Sequence, residues 1–153
     1  MSEGPADGRD SRGGQDTYDL YRRGLDLLGR GSAAAAAQVL ERAAEAEPQS
    51  RSVLEALARA QFDTGRYRAA AGNFRRIVEA SPSDDYAQFG LGLALARTGN
   101  PTAAAEHLAL AAAMRPDLRH YAEALRGVRA TLRARAQHPG GPGEEPRQAA
   151  NGG

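Results

Sequence analysis

The sequence contains no cysteine and no lysine, and all 20 of its basic residues are arginine. The absence of cysteine excludes disulfide bonds, thiolate metal sites and cysteine nucleophiles. The absence of lysine excludes a complete GxxxxGK[ST] phosphate-binding loop. Large core residues are also scarce, because Leu, Ile, Val and Phe together occupy 23 of 153 positions. We therefore expect an alanine-rich core of modest stability.

Long hydrophobic runs are absent as well. No stretch reaches the roughly 18 consecutive apolar residues of a membrane-spanning helix. Residues 1–16 lack the apolar segment of a secretory signal. The formal net charge of +1 favours neither nucleic acid nor a membrane surface as a partner. These features predict a soluble, cytoplasmic protein.

No arrangement of residues indicates catalysis. The three histidines, His107, His120 and His138, are scattered and show no metal-ligand spacing with an acidic partner. No serine stands in a nucleophile-elbow motif. We therefore predict that the protein is not an enzyme and that it uses no cofactor or metal.

What the sequence does contain is a repeat of 34 residues, present three times without insertion at 17–50, 51–84 and 85–118. Each copy has two segments with apolar residues at three- and four-residue spacing, which is typical of amphipathic helices. Equivalent positions carry small residues (Gly24, Ala58, Gly92), turn glycines (Gly31, Gly65, Gly99), alanines (Ala36, Ala70, Ala104), large apolar residues (Leu40, Phe74, Leu108) and closing prolines (Pro48, Pro82, Pro116).

The repeated positions have a physical interpretation. The small residues allow the two helices of a copy to approach closely, and the large residue fills the space between neighbouring copies. The turn glycines suit a left-handed backbone conformation at the end of the first helix. Ser32 and Asn100 are candidate N-caps of second helices, and Pro101 suits the first helical position.

These residues resemble the tetratricopeptide repeat, whose pattern combines a large residue, Leu-Gly, two alanine positions, an aromatic and a final proline. The second copy matches it at Leu54, Leu57, Ala58, Ala70, Phe74, Ile77 and Pro82, and the third at Leu91, Gly92, Leu95, Ala104, Leu108, Ala111 and Pro116. The resemblance covers residues 17–118. It implies an all-α fold, a right-handed superhelical array of three helix-turn-helix units.

The remaining segments flank this array. We predict disordered tails at residues 1–16 and 138–153, the second of which is rich in Gly and Pro. Residues 119–137 are predicted to form a single helix, with Ala122, Leu125, Val128 and Leu132 as its apolar stripe. Such a helix would cap the last apolar surface of the array.

The resemblance also implies a binding site, because the first helix of each unit lines a concave groove in this family. Carried over by position, the groove residues are Tyr18, Tyr21, Leu25, Glu55, Arg59, Phe62, Tyr86, Phe89, Leu93 and Arg97. Aromatic side chains suit peptide recognition. We therefore predict a non-catalytic adaptor that binds a peptide or an amphipathic helix of a protein partner in this groove. The alternative to a role in ligand binding is that several of these aromatic rings pack against the adjoining first helices.

The family's chaperone-tail clamp is not expected. That clamp uses Lys, Asn and Arg side chains to hold a terminal carboxylate, and its approximate positions carry Leu25, Arg59, Phe89 and Leu93 here. Only Arg59 is of the right type.

Two other functions stay open. The array could self-associate as a structural module through an apolar face. The capping helix carries five Arg against one Glu, a local charge of +4, which could contact nucleic acid or another anion. Since the whole chain is nearly neutral, a solvated face is the simpler interpretation and nucleic acid is not the expected partner.

Overall fold

The computed structural model describes the backbone of residues 6–139 and the side chains of residues 13–139. This part of the chain forms seven helices, which are α1 (Ala6–Gly29), α2 (Ala33–Ala46), α3 (Arg51–Asp63), α4 (Tyr67–Ala80), α5 (Asp85–Arg97), α6 (Pro101–Met114) and α7 (Arg119–Gln137). The all-α prediction is confirmed, and the helices pair as three hairpins followed by a single helix.

Each helix packs on the next one in the chain. In addition, Cα atoms of α1 come within 8 Å of α3, those of α3 within 8 Å of α5, and those of α5 within 8 Å of α7. The second helices α2, α4 and α6 make no such approach to one another. The array therefore curves toward its first helices, and we call the side formed by α1, α3, α5 and α7 the inner face.

The turn inside each hairpin has the geometry that its glycine predicts. Gly31, Gly65 and Gly99 adopt φ values of 78°, 80° and 83°, which glycine tolerates because it has no Cβ. The backbone N–H of the residue after each glycine donates to a carbonyl near the end of the first helix. Arg66 N, for example, donates to Gln61 O at 2.8 Å. This bond satisfies a carbonyl group that the helix end would otherwise leave free.

The small residues set how closely the helices pack. A Cβ atom on Gly92 would lie 2.7 Å from Leu108 Cγ, and one on Gly24 would overlap Leu40. In the middle unit the equivalent position is Ala58, and the ring of Phe74 instead fills the space beside Gly90 of the next unit. Leu40, Phe74 and Leu108 are buried, as are Ala36, Ala70 and Ala104.

The caps of the helices differ from those that the sequence suggested. Neither Ser32 nor Asn100 makes a side-chain capping bond, although Pro101 does begin α6. The capping side chains belong instead to first helices, since Ser50 Oγ accepts from Val53 N at 3.4 Å and Asp84 Oδ1 accepts from Ala87 N at 3.1 Å. Ser50 and Asp84 share a repeat position, so this cap recurs between units.

The ends of the described chain add two findings. Helix α1 begins at Ala6, so residues 6–16 are helical where the sequence predicted a tail. Extending a helix that is already nucleated and packed costs little, which accounts for the difference. Residues 1–5 and 140–153, the remainder of the predicted tails, lie outside the described residues. At the other end, α7 buries Tyr121 together with Leu125 and Val128, a ring that the predicted stripe omitted.

Candidate functional site

The part of the inner face that α1 contributes is the most open. Tyr18 and Leu25 are 55% and 39% exposed, and Tyr21 between them is half-buried. These three side chains lie on one side of α1 together with Arg22 and Asp26, and the residues that line this open surface all belong to α1. Exposed apolar patches flanked by polar residues are typical of interaction sites, so the α1 surface is a candidate for contact with a partner.

Farther along the array the predicted groove residues are partly built into the core. Phe62, Tyr86, Phe89 and Leu93 are half-buried and pack against the buried cluster of the second and third units. The ring centroid of Phe89 lies 4.6 Å from that of Tyr121, and the centroid of Tyr86 lies 6.1 Å from that of Phe74. These rings therefore contribute to stability as well as presenting an accessible edge.

Both charge signs occur between the rings. Burial raises the pKa of the half-buried Glu55 carboxyl, and the negative charge of Asp84 adds to that effect, whereas Arg51 and Arg59 oppose it. Burial likewise raises the pKa of the Tyr86 hydroxyl. Arg59 is exposed on α3 and influences both groups. The centre of the inner face thus has a desolvated carboxylate next to an exposed guanidinium.

At the turn edge of the inner face, Arg97 stacks on two aromatic rings. Its guanidinium carbon lies 5.4 Å from the centroid of Tyr67 and 5.9 Å from that of Phe62. Arg97 Nη1 also donates to the Tyr67 hydroxyl oxygen at 3.3 Å. Of these three residues, Tyr67 was not among the predicted groove residues, because it belongs to a second helix.

Two residues of the capping helix also border this face and were missed. His120 stands exposed with its ring centroid 5.2 Å from that of Phe89. Tyr121 donates its hydroxyl to Asp85 Oδ2 at 2.7 Å and ties α7 to the start of α5. Burial and this bond raise the pKa of the Tyr121 hydroxyl. Extending the 34-residue register into α7 would have aligned His120 with Tyr86 and Tyr121 with the buried Ala87.

Two buried glutamines do not take part in the inner face. Gln61 Oε1 accepts from Asn73 Nδ2 at 2.8 Å. Gln88 Nε2 donates to Pro82 O at 3.0 Å, while its Oε1 lies 2.7 Å from His107 Nδ1. Burial lowers the pKa of His107, and the nearby Arg75 charge lowers it further, so the ring favours its neutral form. These bonds satisfy polar groups between the two helices of a unit and explain why glutamine is tolerated at buried positions.

Three helix-turn-helix units and one terminal helix, with each element packed on the next, define a helical-repeat protein. The family model described as Tetratricopeptide repeat matches residues 21–85 and 55–119. The chain therefore belongs to the tetratricopeptide repeat family. No curated protein matches the sequence significantly.

Solved structures share this fold at low sequence identity. The first TPR of Spaghetti (RPAP3) bound to the HSP90 peptide SRMEEVD is 18% identical with a TM-score of 0.72, over 77% of this chain and 94% of that one. The Sgt2 TPR domain from Aspergillus fumigatus is 17% identical with a TM-score of 0.73, over 90% and 92%. MamA from Desulfovibrio magneticus RS-1 is 21% identical with a TM-score of 0.73, over 80% and 71%.

Two other kinds of site are missing from the described residues. None of the helices there has both the length and the apolar composition needed to cross a bilayer. Among the same residues, no three acidic or histidine side chains come together as metal ligands.

Proposed function

We propose that this protein is a non-catalytic adaptor that binds a peptide or an amphipathic helix of a protein partner on the inner face. One observation carries the proposal. Among the described residues, the exposed large hydrophobic side chains are Tyr18, Leu25 and Leu110. Two of the three lie together on α1, at positions that the family resemblance assigns to the groove.

The composition of the inner face favours an amphipathic partner. Tyr18, Tyr21 and Leu25 offer apolar area, and aromatic rings bind with little loss of side-chain entropy. Glu55 and Arg59 add opposite charges on α3, which contacts α1, so the face suits neither a strongly acidic nor a strongly basic segment. A helix with one apolar side, or an extended peptide with alternating apolar residues, would match this surface.

The structural neighbours support the class of function and leave the ligand open. The RPAP3 domain is described with a bound HSP90 peptide, and this chain shares its fold. The residues here at the approximate clamp positions, Leu25, Phe89 and Leu93, cannot pair with a terminal carboxylate. We therefore propose that apolar anchors, rather than capture of a chain terminus, provide most of the affinity.

The test uses a displayed library of random peptides, selected on the wild-type protein. The affinity of synthetic binders is then measured by fluorescence anisotropy for Tyr18→Ser combined with Leu25→Ser. Losing two anchors should weaken binding by about 2 kcal/mol, or roughly 30-fold. Because both side chains are exposed, the midpoint of thermal unfolding should change little.

Leu110→Ser is the matched control, since Leu110 is 50% exposed but lies on the second helix α6. It should leave the affinity unchanged. Unaltered binding by the α1 double variant, or an equal loss in Leu110→Ser, would contradict the proposal.

Self-association is a second candidate function. The exposed Leu110 favours it, because this side chain is available to contact a second copy of the protein outside the inner face. Light scattering on the eluted protein would then show a dimer whose population rises with concentration and falls in Leu110→Ser.

The capping helix supplies a third candidate, contact with an anion such as nucleic acid. Arg126, Arg129 and Arg133 are exposed, and none of them forms an ion pair among the described side chains. Salt-dependent retention of the protein on an RNA column, lost in Arg126→Gln with Arg129→Gln, would support this function.

A further inference from the structure

Arg97 lies over two aromatic rings, whereas Arg22, which has a similar contact with Tyr18, lies over one. Arg30, Arg51, Arg66 and Arg115 each pair with a carboxylate, at distances between 2.8 and 3.5 Å. Arg97 forms no ion pair with any side chain in residues 13–139. Its hydrogen bond to the Tyr67 hydroxyl uses one of the five N–H donors of the guanidinium.

Arg97 lies over a pair of rings that pack against each other. Phe62 and Tyr67 meet edge to face, with centroids 5.0 Å apart and planes inclined by 68°. Phe62 packs against the buried cluster, which anchors the pair of rings. A guanidinium in contact with both rings has fewer accessible rotamers than one in open solvent. An arginine in this state loses less entropy when it binds a planar carboxylate through two parallel hydrogen bonds.

Arg59, a second exposed arginine of the inner face, is in a different situation. Glu55 precedes it by one turn on α3, and the Arg59 charge opposes the rise in the pKa of that carboxyl, so part of the Arg59 charge is already balanced within the protein. Arg97 has no comparable carboxylate partner among the described side chains. Arg97 therefore presents, at the turn edge between the second and third units, a positive charge that no carboxylate among residues 13–139 pairs with.

We propose that Arg97, held by Tyr67 and Phe62, is a carboxylate-binding subsite, and that the partner presents an Asp or Glu side chain to it. The inference rests on the proposed function, since the carboxylate belongs to the peptide that the inner face binds. It adds a chemical requirement: the partner carries an acidic residue at the end that reaches the turn between α3 and α4.

The test is a cycle of substitutions in protein and peptide. Amidated peptides, which have no terminal carboxylate, are selected on the wild-type protein, and the best binder is remade with each acidic residue replaced by its amide. One of these peptide replacements should weaken binding about tenfold, and Arg97→Gln in the protein should do the same. The peptide replacement combined with Arg97→Gln should weaken binding no further than either change alone. Arg97→Lys should restore only part of the affinity, because an ammonium group cannot form the bidentate bond.

A second variant separates positioning from charge. Tyr67→Ala keeps the arginine but removes the ring beneath it, so affinity for the acidic peptide should fall severalfold while the amide version is unaffected. Arg119→Gln, which removes an exposed arginine on α7, is the control and should have no effect on either peptide.

The outcomes distinguish the two proposals. Two results would overturn the carboxylate subsite alone. In the first, the binders need Tyr18 and Leu25 but show no preference for an acidic residue. In the second, they show an acidic preference that Arg97→Gln leaves intact. A library that yields no binder dependent on Tyr18 and Leu25 would overturn the proposed function and the subsite with it.

Discussion

The contact between Gly90 and Phe74 offers the sharpest test of how the units are spaced. In Gly90→Ala, the new Cβ would lie 2.5 Å from Phe74 Cζ and within 2.7 Å of two further ring atoms. The ring is 2% exposed and has no flexible end that could move aside. We expect overpacking to cost ~1–3 kcal/mol. Replacing a helical glycine returns roughly 0.5–1 kcal/mol, so the net loss of stability should lie between about 0 and 2.5 kcal/mol, with a central value of ~1 kcal/mol.

Gly72→Ala is the matched control, because Gly72 is exposed within α4 and a Cβ there would meet nothing within 4 Å. That variant should be more stable than wild type by roughly 0.5–1 kcal/mol. Thermal unfolding followed by circular dichroism measures both changes, and 1 kcal/mol corresponds to about 4 °C in a domain of this size.

A double variant identifies the cause of the expected loss. Phe74→Leu removes the ring that the new methyl group would strike, so Gly90→Ala should cost less in the Phe74→Leu background than in wild type. If Gly90→Ala instead raises the midpoint as Gly72→Ala does, with no coupling to Phe74→Leu, then the ring does not set the distance between α4 and α5.

Two further predictions concern polar groups. Tyr121→Phe removes the bond to Asp85 and should lower stability by about 1–2 kcal/mol, whereas Tyr18→Phe, at an exposed position, should be nearly neutral in the same melting assay. Glu55→Gln should stabilise the protein at pH 7, because the fold raises the pKa of Glu55 and so disfavours its charged form. That advantage should disappear below pH ~4.3, the pKa of a Glu carboxyl in the unfolded chain. An equal gain in stability from Glu55→Gln below that pH, or from the exposed Glu45→Gln at pH 7, would contradict the assignment.

The repeat architecture was predictable because its signals are local and occur three times. A glycine at each turn fixes a left-handed conformation, and a small residue opposite a large one fixes a close helix contact. Gly31 and Gly92 illustrate the two cases, and both behave as the pattern predicts.

The remaining features depend on contacts that one unit does not reveal. Phe74 lies against Gly90 of the next unit, whereas Leu40 and Leu108 lie against Gly24 and Gly92 of their own units, where the second unit has Ala58. The polar pairs of Gln61 and Gln88 join residues 12 and 19 positions apart, and only the packed hairpin brings them together. The groove residues were predicted by position alone. The sequence therefore could not show which of their rings pack in the core and which are accessible to a ligand.

Photocrosslinking would show directly whether a peptide binds on the inner face. Benzoylphenylalanine would replace Arg59, exposed on α3, or Arg75, exposed on the second helix α4, and each protein would be irradiated with a selected peptide. We expect an efficient crosslink from position 59 and none above background from position 75. Equal crosslinking at both positions, or crosslinking from position 75 alone, would contradict binding on the inner face.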